Sequence, residues 1–194
     1  MFEFKQREMI IFTHKDKEYP IKNKGEEITL AELDTITQIS NDNTKSYYTR
    51  WLNIIEFLGG KQLANVISDK GLGDYISHFE GNNIKNDIVN TLNINGKEYT
   101  CELEDEHIVL LGREIAKIEE YMKKESDWAS YLFAIVYKEQ GINSADHLND
   151  GHIKKKLSLF KKNVTANIAA PVIFQVSQQI IENVEKMSKA IKEN

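Results

Sequence analysis

The chain contains one pattern twice: IFTHKDKEY at residues 11–19 and TLNINGKEY at residues 91–99. The two stretches lie 80 residues apart, and both end in Lys-Glu-Tyr. Each consists of two short segments rich in β-forming residues around a polar centre, which is typical of a β-hairpin. Asn95-Gly96 supplies the positive φ angles of a two-residue type I′ turn. We therefore expect two hairpins of equal register, with Phe12 opposite Tyr19 and Leu92 opposite Tyr99.

Residues with helical periodicity follow each hairpin. Thr29 and Glu32 have the spacing of a capping box at the start of the first helix. The acidic run 104–106 stands where we expect the second helix to begin, because negative charge favours a helix N-terminus. Glycine is expected to end the later helices, as at Gly141. The apolar residues that repeat, at offsets of 79 and then 77, are Ile36, Ile39, Trp51, Ile54 and Leu58 in the first copy and Ile115, Ile118, Trp128, Tyr131 and Ile135 in the second.

The repeat predicts the organisation of the chain. The expected fold class is α+β and mostly helical, with two similar β-hairpin-plus-helices units and an appended long C-terminal helix. The first unit, 1–86, includes two short connecting helices broken at Lys70-Gly71. The second unit, 87–194, ends with a basic helix and with a long helix started by Pro171. Since only two prolines occur and no low-complexity linker is visible, we expect one compact body.

Composition limits the class of protein. The 194 residues carry 28% charged side chains and a net charge of −5, which is typical of a globular protein with weak attraction for nucleic acid. We expect no signal peptide, because residues 1–8 carry charges where an apolar h-region would stand. We expect no membrane insertion, because the longest apolar run, 128–137, is too short to span a bilayer. The lone Cys101 excludes an intrachain disulfide and indicates a reducing compartment.

Motifs that carry chemistry are not visible in the sequence. The five histidines lack the spacing of a zinc site, and no phosphate loop or nucleophile elbow occurs. Cys101 is interpreted as a small buried residue. We therefore expect no catalytic residue, no cofactor, no metal and no enzymatic activity.

Two helices offer candidate binding surfaces. The last helix has an apolar stripe that either packs on the chain's own core or lies in a groove of another subunit. Its residues are Ile173, Val176, Ile180, Val184, Met187 and Ile191. The preceding helix carries a basic cluster that is either a solvated face or a contact for nucleic acid or an acidic partner. Its residues are Lys154, Lys155, Lys156, Lys161 and Lys162.

The second copy resembles a group of viral proteins. A strand pair at 92–103, an acidic step into a helix, and then WASYLFAIVYK at 128–138 are similar to small proteins encoded among the tail and neck genes of tailed bacteriophages. These include crAss-like and related phages of Bacteroidetes hosts. In that group an aromatic-rich helix follows a hairpin, and a later helix carries small residues and Phe, here 166–174. The resemblance covers about 88–180 and, weakly, 9–60.

The resemblance implies a non-catalytic virion or morphogenesis protein that acts through protein–protein contacts in the tail or neck. Its partners would be other phage structural or assembly proteins, in a homo-oligomer or symmetric assembly, within the virion or in the host cytoplasm during assembly. Two alternatives remain open. One is a tail-assembly chaperone that binds the tape-measure protein and is absent from mature particles. The other is a nucleic-acid-associated protein that uses the basic helix.

Overall fold

The computed structural model describes residues 10–22, 27–83 and 87–192, and this part confirms the α+β class. The strands are β1 (Ile10–His14), β2 (Lys17–Ile21), β3 (Thr91–Ile94), β4 (Lys97–Thr100), β5 (Leu103–Glu104), β6 (His107–Ile108) and β7 (Lys138–Glu139). The helices are α1 (Leu30–Ser40), α2 (Tyr47–Gly59), α3 (Lys61–Ala64), α4 (Asp69–Asn83), α5 (Gly112–Lys124), α6 (Trp128–Val136), α7 (Ser144–His147), α8 (Asp150–Asn163) and α9 (Ala166–Lys192).

Both predicted hairpins form with the predicted register. In β1–β2, Phe12 pairs with Tyr19, and in β3–β4, Leu92 pairs with Tyr99. The second turn has φ angles of 53° at Asn95 and 75° at Gly96, as a type I′ turn requires. Lys15-Asp16 adopts the same left-handed region without glycine.

The acidic run 104–106 does not start a helix, and that prediction was wrong. The run belongs to a third small hairpin, β5–β6, in which Asp105 and Glu106 form the turn with φ angles of 47° and 66°. Helix α5 begins only at Gly112, where the Glu114 carboxylate accepts the N–H of Leu111 at 2.8 Å. A polar turn and a helix start have similar compositions, so composition alone did not separate them.

Three predicted helix boundaries were also wrong. Helix α4 runs through Lys70-Gly71, and the Ser68 hydroxyl accepts the Gly71 N–H near its start at 3.1 Å. Helix α6 ends at Val136, after which the chain forms β7 beside β4, so Gly141 lies beyond that strand. Helix α9 begins at Ala166, which places Pro171 inside it.

A short antiparallel contact fixes the starts of α1 and α9 together. The N–H of Leu30 donates to the carbonyl of Val164 at 2.9 Å, and the N–H of Ala166 donates to the carbonyl of Ile28 at 2.7 Å. The first N–H groups of a helix have no partner within that helix. Each helix therefore finds a partner for its first N–H in the segment that precedes the other, and α9 starts before Pro171.

The buried apolar residues form two cores. The first is built around Trp51 and Tyr75, mainly from the first half of the described chain, and the second surrounds α6. One fully buried residue crosses in each direction: Ala166 packs in the first core and Leu30 in the second, and the partly buried Leu33 packs against both. The division into units 1–86 and 87–194 remains a prediction.

Candidate functional sites

Helix α6 lies in the second core with every residue from Ala129 to Val136 buried. A helix leaves its first N–H and last C=O groups without internal partners. In a buried helix these groups cannot reach water, and each one left unpaired costs about 1–3 kcal/mol. The fold must therefore supply partners at both ends of α6.

Asp34 of α1 caps the start of α6. Its Oδ1 accepts the backbone N–H of Ser130 at 3.0 Å, and its Oδ2 accepts the Ser130 hydroxyl. Burial raises the pKa of Asp34 to about 6. The ammonium of Lys161, which also pairs with Asp127, lies 3.5 Å from Oδ2. A carboxylate at this position also matches the positive end of the helix dipole.

Lys156 of α8 and His147 of α7 cap the end of α6. Lys156 Nζ donates to the carbonyls of Ala134 at 2.5 Å and Tyr137 at 2.9 Å. His147 Nε2 lies 2.7 Å from the carbonyl of Ile135, and its Nδ1 lies 3.0 Å from Lys156 Nζ. Burial lowers the pKa of His147 to about 4, so the neutral ring donates through Nε2 and accepts at Nδ1.

Lys156 therefore has three acceptors around its ammonium, one for each N–H. Burial lowers its pKa to about 7. A positive charge at the C-terminal end of α6 is favoured by the helix dipole. The perturbed pKa values of Asp34, His147 and Lys156 thus have a structural cause, namely capping of a buried helix.

The five lysines of the predicted basic cluster do not form one surface, which corrects the prediction. Lys156 is buried as a helix cap, and Lys161 pairs with Asp34 and Asp127. The exposed members are Lys154, Lys155 and Lys162.

Lys155 and Lys162 line a cleft of about 620 Å³ between α8 and the β3–β4 hairpin. Lys97 lies on the hairpin wall, and among the described lining residues Glu139 is the one carboxylate. Glu139 pairs with Lys97, so its charge is already compensated. The cleft is therefore cationic, although the whole chain carries a net charge of −5.

The predicted stripe of α9 is divided between core and surface. Val176 and Ile180 are buried in the second core, and Ile173 packs against it. The fold thus assigns these three to the protein's own interior. Val184 is 47% exposed. The side chains of Met187 and Ile191 lie outside the described part of the chain.

A different face of α9 carries two apolar residues that sequence reasoning missed. Phe174 and Ile181 are each 52% exposed and stand seven residues apart, so they share one face of the helix. They do not follow the core-facing periodicity that identified the stripe. Exposure of two large apolar residues on one face was the signal, and it becomes visible only once the buried face is known.

A groove of about 670 Å³ separates α9 from the residues around the β5–β6 hairpin. Gln175 and Gln179 hold the helix beside β6, through bonds of 2.7 and 3.0 Å to the backbone N–H and carbonyl of Ile108. The groove has an apolar lining and an acidic rim, and a smaller depression beside it continues the rim. The apolar residues are Ile88, Leu103, Pro171 and Phe174, and the acidic ones are Asp87, Glu104, Asp105, Glu106 and Glu182.

Comparison with protein-family models, with curated proteins and with solved structures finds no significant match to this chain. Within the described ranges, no helix combines the length and apolarity needed to cross a membrane. In that same part of the chain, no three His, Cys, Asp or Glu side chains are grouped so that they could hold a metal ion.

We expect Lys156 to make the free energy of unfolding rise with pH above neutrality. Between pH 7 and 9 the native state has released the Lys156 proton, whereas the unfolded chain, with an ordinary pKa of 10.5, still binds it. The unfolded state therefore binds more protons, and stability increases by about 2 kcal/mol over this interval. Urea denaturation at pH 7, 8 and 9 should show this increase in the wild type and not in Lys156→Met. The exposed Lys154→Met is the matched control, and an equal slope in all three proteins would contradict the prediction.

Asp34 should have the opposite effect at lower pH. Its native pKa of about 6 exceeds the ordinary 3.8, so the native state holds a proton that the unfolded state has lost. Between pH 4 and 7 the stability of the wild type relative to Asp34→Asn should therefore fall by about 2 kcal/mol. His147 titrates in both proteins and cancels in this difference. The exposed Asp74→Asn is the matched control, and a difference for Asp34→Asn that does not change with pH, or that changes equally for both variants, would refute the prediction.

Proposed function

We propose that the protein is a non-catalytic assembly protein whose copies bind each other head to tail, as expected of a tail or neck component of a tailed phage. The observation that carries this proposal is a pair of oppositely charged surfaces on one molecule. The acidic-rimmed groove lies beside α9, and the exposed lysines lie on α8.

The groove is suited to a protein segment that is both apolar and basic. Phe174 and its apolar neighbours offer an anchor of the kind that dominates binding energy at protein interfaces. The carboxylates around them select for positive charge and raise the association rate. Lys154 and Lys155, exposed next to each other on α8, supply that charge in a second copy of the chain.

Charge also decides the symmetry of the contact. Two copies that paired groove to groove would place their carboxylates against each other, which is unfavourable. A groove that receives α8 of the next copy pairs opposite charges. Such a heterologous contact either closes into a ring or continues as a filament. Repetition of one contact in a ring or tube is the arrangement that a tail or neck component would need.

Two phage roles are compatible with such a binding surface. A permanent component is expected in purified virions at a fixed copy number. A tail-assembly chaperone would use the groove for the tape-measure protein and would be absent from finished particles. Mass spectrometry of purified virions separates the two roles.

A charge exchange tests the head-to-tail contact. Glu104→Lys with Glu106→Lys should weaken self-association about tenfold or more at low salt, and so should Lys154→Glu with Lys155→Glu. An equimolar mixture of the two variants should associate again, because a reversed groove meets a reversed α8. Sedimentation velocity over a concentration series provides the measurement.

The control for the charge exchange is Lys61→Glu with Lys70→Glu, which changes exposed lysines away from both surfaces. This variant should associate like the wild type. A wild type that stays monomeric at all concentrations, or a mixture that fails to associate, would overturn the proposal. Far-ultraviolet circular dichroism verifies that each variant is folded.

Phe174 should act as the apolar anchor. Because it is half exposed, Phe174→Ala is expected to change the free energy of unfolding little while weakening self-association about tenfold. Phe57→Ala is the matched control, since Phe57 is 42% exposed on α2. Equal self-association of the two variants would contradict a role of α9 in the contact.

A further inference from the structure

The cationic cleft has a volume of about 620 Å³ and two walls. One wall is a face of α8, on which His152, Lys155 and Lys162 recur at helical spacing. The other wall is the β3–β4 hairpin, with Asn95 in its turn and Lys97 at the start of β4. A volume of this size lies within the range of small-molecule sites, about 300–1,000 Å³.

The positive charge of the cleft is not compensated from within. Glu139 is bound to Lys97, and no described residue forms an ion pair with Lys155 or Lys162. Lys156 also lines the cleft, but its Nζ is committed to the carbonyls at the end of α6, so the attraction for an anion rests on Lys155 and Lys162. Two unpaired ammonium groups that face one space favour a ligand group with about two negative charges.

A phosphate monoester has this charge near neutral pH and presents three strong acceptor oxygens. Lysine binds phosphate as a point charge, and the cleft adds neutral donors for the remaining oxygens. These donors are the side chains of Asn95, Ser158 and Asn163. Tyr99, Ile142 and Leu159 give the same cleft an apolar part, which a bare inorganic ion would leave unused.

A nucleic acid fits this arrangement less well than a small molecule does. Lys154 lies outside the cleft, Lys156 is buried, and Lys161 is paired with carboxylates, so no continuous basic strip follows α8. The net charge of −5 also opposes the approach of a long polyanion.

We propose that the cleft between α8 and the β3–β4 hairpin binds a small organic phosphate, with Lys155 and Lys162 at the phosphate and Leu159 and Tyr99 beside the organic part. A single copy supplies all residues of the site. Lys155 is also part of the proposed head-to-tail contact, so phosphate binding and self-association would share this residue.

Titration with phenyl phosphate, followed by amide chemical shifts in NMR, tests the site. Shifts are expected on α8 and the β3–β4 hairpin, with tighter binding than for inorganic phosphate or benzoate. Lys155→Gln with Lys162→Gln should weaken binding at least tenfold. Lys70→Gln is the matched control, because this exposed lysine lies away from the cleft and from the proposed self-association contact.

Four results would overturn the proposal. They are the absence of shifts up to millimolar phenyl phosphate, shifts that map elsewhere, equal losses in the control and the double variant, and no loss in the double variant. A single-stranded oligonucleotide that bound more tightly than phenyl phosphate, with a steep salt dependence, would instead assign the lysines to nucleic acid.

Discussion

The burial of both ends of α6 is the constraint on which the rest of the structure depends. Nine residues of mostly apolar sequence cannot leave their terminal backbone groups in a hydrophobic core without partners. Asp34 satisfies one end, and Lys156 with His147 satisfies the other. The signs of the charges agree with the helix dipole at each end, so each cap contributes through its hydrogen bonds and through the field of the helix. Since Asp34 comes from the helix after the first hairpin, the same bond ties the two cores together.

The buried charges serve the structure, which leaves the charged surface sites as the candidates for function. A buried carboxylate, lysine and histidine with altered pKa values is a common sign of an active site. Here the backbone of α6 accounts for each of them, and other charged side chains of the described part of the chain line the cationic cleft and the acidic-rimmed groove. Lys156 connects the interior with the surface, because its Nζ caps the end of α6 and the residue also lines the cleft.

Local chemistry could be predicted from the sequence, and long-range contacts could not. The hairpin register follows from the turns at Lys15-Asp16 and Asn95-Gly96, and the cap of α1 follows from the spacing of Thr29 and Glu32. The bond from Asp34 to Ser130 joins residues 96 apart and has no local signature. Lys156 looks like its neighbours in a run of three lysines, and only the fold distinguishes the buried one. The sequence offset of 77 pairs Trp51 with Trp128, but an alignment of the two copies by their helix starts gives a different pairing. By helix position Trp51 corresponds to Leu132, since α2 begins at Tyr47 and α6 at Trp128.

Periodicity has a further limit, which α9 illustrates. A stripe at three- and four-residue spacing identifies the face of a helix that packs best, and the protein's own core occupies that face first, as at Val176 and Ile180. Residues available to a second molecule are those that interrupt the polar face, such as Phe174 and Ile181.

Net charge, like periodicity, does not show where a surface is available to a partner. A value of −5 suggests a uniformly acidic surface, whereas the fold places lysines of α8 around one cleft and carboxylates around a groove beside α9. The distribution of charge over the folded surface, and not its sum, therefore determines which anions and which partners the protein can attract.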